Sequence, residues 1–197
     1  MHATRNGCFF RSARRIAPTW ALLALLGNAV AWAADGRFEV RSAAARLSDG
    51  VYYVDARIDY RLSEKALEAL QNGVALTMQL QIEVIRKRAF LPDGLIAELR
   101  QDSTLTYEPL TQRYVLRNLN SGQQTSYATL FSALSSLGRV NGLPVIDAAL
   151  LDPDARHRMR LRVVLDQDTL PGPLRLIAFW SSGFRLASDW YGWTIAD

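Results

Sequence analysis

Residues 51–62, VYYVDARIDYRL, carry apolar side chains at every even position: Tyr52, Val54, Ala56, Ile58, Tyr60 and Leu62. From position 55 the odd positions hold Asp55, Arg57, Asp59 and Arg61. Successive side chains of a strand point to opposite faces, so this stretch predicts a strand with one buried face and one wet face. Residues 74–84 repeat the pattern, with Val74, Leu76, Met78, Leu80, Ile82 and Val84 inward and Thr77, Gln79, Gln81 and Glu83 outward. Residues 158–166 place Met159, Leu161, Val163 and Leu165 inward and Arg158, Arg160 and Arg162 outward. Strands with one wet face belong to antiparallel sheets.

Turn residues divide these strands. Ser48-Asp49-Gly50 joins a first strand, about 37–47, to the second as a hairpin. EPLTQ at 108–112 and NLNSGQ at 118–123 separate further extended pieces. A short helix is predicted after Ser63, which can cap it, with Ala66, Leu67 and Leu70 as its apolar stripe and Asn72-Gly73 as its stop. A second runs from about 127 to 137, where Tyr127, Leu130, Phe131, Leu134 and Leu137 recur at helical spacing before Gly138. Residues 138–157 read as mostly irregular, and in LPGPL at 170–174 Pro171 and Pro173 exclude a central strand. Seven or eight strands with two short helical connections predict a single mainly-β domain, an antiparallel immunoglobulin-like β-sandwich. An open β-barrel is the alternative.

The chain has 197 residues, 23 basic and 19 acidic. Arg5, Arg11, Arg14 and Arg15 lie in residues 1–33, which contain no Asp or Glu, so 19 basic residues face 19 acidic ones in the rest. The body is neutral, and a general nucleic-acid partner is not expected. The first 33 residues read as a signal peptide: a basic start, an apolar stretch, and Ala31-Trp32-Ala33 as a cleavage site. Cleavage would release residues 34–197 as one periplasmic domain. The alternative is an uncleaved anchor over residues 16–34 at the inner membrane, and only that form implies membrane contact. The sole cysteine, Cys8, lies in this leader, so the body has no thiol for a disulfide, a metal or catalysis.

Few residues suggest chemistry. His157 is the one histidine beyond residue 2, and it reads as a surface side chain between Arg156 and Arg158. Asp152 with Asp154, and Asp166 with Asp168, are spaced for a calcium loop or a turn, and the short pattern favours the turn. No serine stands in a nucleophile motif. No catalytic residue, metal ligand or cofactor is assigned. Two basic clusters, Arg86, Lys87 and Arg88, and Arg158, Arg160 and Arg162 preceded by Arg156, are the candidate partner-contact patch. The competing reading pairs the second cluster with Asp55, Asp59 or Glu83 across strands. The tryptophans of the body, Trp180, Trp190 and Trp193, cluster at its end, where a final strand with Gly192 as a possible bulge is expected to close the sandwich.

ALEALQNGVALTMQLQIEV (66–84), LTYEPLTQRYVL (105–116), LPGPLRL (170–176) and FRLASDWYGWTI (184–195) together resemble an exported Gram-negative family named Domain of Unknown Function 4390. The chain departs from it after Arg88, where only Ala89-Phe90 stands in place of a stronger aromatic run. The resemblance implies no catalytic residues. It implies export and, by association with a membrane sensor kinase, a membrane or periplasmic protein partner. The expected function is therefore an exported binding module without enzymatic activity. A membrane-anchored structural envelope protein and a hydrolase with an unrecognised acid pair are the alternatives.

Overall fold

The computed structural model describes residues 36–88, 92–173 and 182–195. All of them lie in the second of two compact units, Ala33–Asp197. The expected signal peptide and anchor fall outside the described residues, as do Ala89, Phe90 and Trp180. Among the described residues no helix is long and apolar enough to cross a membrane.

Along the chain run β1 (Arg37–Ser48), β2 (Val51–Arg61), α1 (Glu64–Gln71), β3 (Leu76–Arg86), β4 (Gly94–Glu108), β5 (Arg113–Asn118), β6 (Gln124–Tyr127), α2 (Leu130–Leu137), β7 (Arg139–Asp147), β8 (His157–Asp166) and β9 (Tyr191–Thr194). The strands form two open antiparallel sheets, of three strands in the order β1-β2-β7 and six in the order β6-β5-β4-β3-β8-β9. This is the mainly-β, sandwich-like fold that the alternation predicts, and neither sheet closes into a barrel.

The predicted inward sets meet in the core. Val54 and Ile58 of β2, Leu76, Met78, Ile82 and Val84 of β3, and Met159, Leu161 and Val163 of β8 are all buried in one cluster. In β1 a bulge moves the inward phase. Val40 pairs with Ile58 but Ser42 pairs with Arg57, so Phe38 and Val40 face the core before the bulge and Ala43 and Ala45 after it. Helix α1 forms as predicted, with Ser63 Oγ accepting the Ala66 N–H at 3.1 Å and Ala66, Ala69 and Leu70 buried.

Five expectations are corrected. The 138–157 connection contains a strand, β7, paired with β2 through an irregular register. Its Pro144 is tolerated because β7 is an edge strand and needs no second ladder. Helix α2 begins only at Leu130, capped by Thr129, because Tyr127 ends β6, and Phe131 of the expected stripe is 80 % exposed. The outer face of β3 is only partly wet, for Thr77 and Gln81 are buried there while Gln79 and Glu83 are half-exposed. The C-terminal strand is broken into a 3-10 turn at Ser182–Phe184, a single bridge from Ala187 to Val164, and β9. Gly192 pairs in regular register with Arg160 and is no bulge. Phe184, Leu186 and Ser188 face the core, Trp193 packs against it, and Trp190 does not join it.

Candidate functional site: a cation-lined cleft

Strand pairing decides which basic residues meet. Arg86 at the end of β3 pairs with His157 at the start of β8, and Ile85 pairs with Arg158. The Lys87 N–H extends the ladder by donating to the Arg156 carbonyl at 2.9 Å. On the other side of β8, Arg158 pairs with Thr194 of β9. The first cluster and the start of the second, about seventy positions apart in the chain, therefore come together at one end of the six-stranded sheet. They line an open cleft of about 1050 Å³ with Asp154, Gly192, Trp193 and Thr194.

The cations of the cleft differ in their partners. Arg86 is paired with Asp152. Lys87 holds Asp93 at 3.0 Å. The Lys87 hydrogen bond, against some desolvation, holds the Asp93 carboxyl below the ordinary carboxylate range, and the Arg88 N–H and the charge of Arg158 act in the same direction. Arg88 and Arg156 are exposed and make no ion pair or side-chain hydrogen bond among the described residues. Arg158 reaches only a carbonyl, that of Gly192, at 3.4 Å. Gly192 makes this possible: a Cβ there would stand 2.7 Å from an Arg158 guanidinium nitrogen.

His157 is not the surface residue expected. It is 8 % exposed, and its Nε2 is buried without a hydrogen-bond partner, as is Trp193 Nε1 in the same cleft wall. The alternation contained the signal, since His157 shares the odd phase of buried Met159 and Leu161. The sequence reading also missed Trp193 and Thr194 as cleft residues, because only the β8–β9 register brings them there.

Arg160 and Arg162 stand apart from the cleft. Both guanidinium carbons lie 4.4 Å from the centre of the Trp190 indole on the outer face of the sheet. Arg160 is held by Glu83, its Nε donating at 2.7 Å, and Arg162 donates to Gln81 at 2.7 Å. Gln81 in turn donates to Gln79, and Gln79 to Asp102 at 2.9 Å, so a polar ladder crosses β8, β3 and β4. Of the three acids proposed as partners for this row, Glu83 meets it. Asp55 and Asp59 lie on the other sheet and bind Arg46 and Arg41. Asp152 and Asp166 each accept the N–H of the residue two further on, at 3.0 and 2.9 Å, and so shape turns.

Fold and cleft together define a sandwich-like β domain whose larger sheet ends in a cation-lined opening. The chain belongs to the family described as Domain of unknown function (DUF4390), which matches it over residues 35–194. No curated protein and no solved structure gives a significant match to it.

Proposed function

We propose that this protein is an exported periplasmic binding module without catalytic activity, which meets a membrane or envelope protein through the cation-lined cleft. One observation carries the reading: the fold joins Arg86, Lys87 and Arg88 to Arg156 and Arg158 in a single cleft and leaves Arg88, Arg156 and Arg158 without carboxylate partners among the described residues. The body is neutral overall, so this local excess of positive charge is a specific feature of one sheet end. Export rests on the basic, apolar and A-x-A order of the first 33 residues.

A photo-crosslinking residue at Thr194, in the cleft, tests the contact in cells. It is expected to give a discrete adduct that disappears when Arg88 and Arg156 are both changed to Glu. The same probe at Thr111, in the turn at the other end of β4, is expected to give none. Equal labelling from both positions, unaffected by the charge reversal, would remove the cleft as the contact surface. N-terminal sequencing is expected to find Ala34 first, and an intact leader in the membrane fraction would establish the anchored form instead.

A further inference from the structure

We infer that the cleft is a phosphate site, with Arg88, Arg156 and Arg158 as its charged ligands. This rests on the binding reading above and adds the chemistry of what is bound. The argument is one of donors and acceptors. A guanidinium offers five N–H donors and no acceptor. Arg88 and Arg156 have no side-chain acceptor among the described residues, and Arg158 has a single long bond to a carbonyl. Asp152 and Asp93, which do not line the cleft, are already taken by Arg86 and Lys87, and exposed Asp154 is the one acid of the lining. A ligand that completes this wall must bring negative charge and several acceptors.

The number of donors selects the anion. A carboxylate has two oxygens and matches one guanidinium fork. Three forks around one opening call for a group with three or more oxygens, which phosphate supplies. Gly192 acts as a positioning residue, since its missing side chain leaves the space that the Arg158 guanidinium occupies across β9. The outer row Thr194, Arg158, Ile85, Leu95 runs across four strands, and Leu95 at its end is 58 % exposed. The phosphate can therefore come from a soluble compound or from a lipid headgroup with an apolar neighbour, and the test separates the two.

The purified exported protein is titrated with inorganic pyrophosphate by calorimetry, and sedimented with vesicles of phosphatidylcholine with or without phosphatidylglycerol. Pyrophosphate binding identifies a soluble source, and sedimentation only with phosphatidylglycerol identifies a headgroup. In either arm the double change Arg88→Glu and Arg156→Glu is expected to weaken binding about tenfold or more. Gly192→Ala should weaken it less, with an unchanged melting temperature. Should the Glu variant fold poorly, Arg88→Gln with Arg156→Gln serves in its place. No binding to either probe, binding unchanged in both double variants, or citrate bound as tightly as pyrophosphate would each overturn the assignment. A Thr194 adduct in cells without phosphate binding would do so too, while leaving the cleft as a protein contact.

Discussion

Arg160 and Trp190 are joined on the outer face of the larger sheet, the guanidinium carbon 4.4 Å from the indole centre. Arg162 lies at the same distance from the same ring. Two arginines at alternate positions of β8 share a face, as strand geometry requires. One tryptophan from the C-terminal segment covers both, and Glu83 and Gln81 hold their other edges.

Replacing Trp190 with Ala should lower stability by about 1–3 kcal/mol, the sum of lost packing and two cation–π contacts. Phosphate binding in the cleft should not change, because neither arginine lines it. Urea denaturation measures the first and calorimetry the second. A stability change within about 0.5 kcal/mol, ordinary for a surface position, would show that the stack contributes nothing.

Tyr60 packs edge-on against Phe38 at 4.9 Å in the core. Burial pushes its hydroxyl well above the ordinary phenol range. A folded-state value raised above the unfolded one gives stability that is complete below about pH 10 and declines above it. The protein should therefore lose stability in alkali, with Tyr60 ionising only as the chain unfolds. The last step of the rise in absorbance at 295 nm should coincide with the loss of circular dichroism, and Tyr60→Phe should lessen the alkaline loss. Full tyrosine ionisation before unfolding would contradict this.

His157→Leu should be neutral or stabilising by up to about 1 kcal/mol. It removes a buried nitrogen that has no partner, so no protein hydrogen bond is lost there. Thermal melting checks this, and a marked fall in melting temperature would mean that Nε2 is satisfied in solution.

Gly138→Ala should destabilise by about 1–3 kcal/mol or more. The Gly138 carbonyl accepts the Ile58 N–H at 2.9 Å, and an added Cβ would fall 2.0 Å from the Ile58 oxygen. The backbone of β2 would have to move. Phe131→Ser, on the exposed side of α2, should stay within about 0.5 kcal/mol by the same melting assay. Equal effects at the two positions would sink this contrast.

Much of this molecule is readable from local pattern. The inward phases of β2, β3 and β8 follow from alternation, and the cap of α1 follows from Ser63. His157 was readable too, for its parity with Met159 and Leu161 outweighs its charged neighbours. Strand β7 was not, because Gly142 and Pro144 disfavour a strand on their own terms, and only pairing with β2 at a sheet edge makes one.

The sequence by itself determined which side chains share a face, because alternation is a property of adjacent residues. Tertiary structure decided which faces meet. That Arg86 stands beside His157 depends on how β3 pairs with β8, and that Trp190 covers Arg160 and Arg162 depends on where residues 182–195 lie against β8. Both are relations between segments far apart in the chain, set by the packing of two sheets around one core. No local periodicity encodes them, so the division of six candidate cations into a cleft and a covered stack emerges only from the fold.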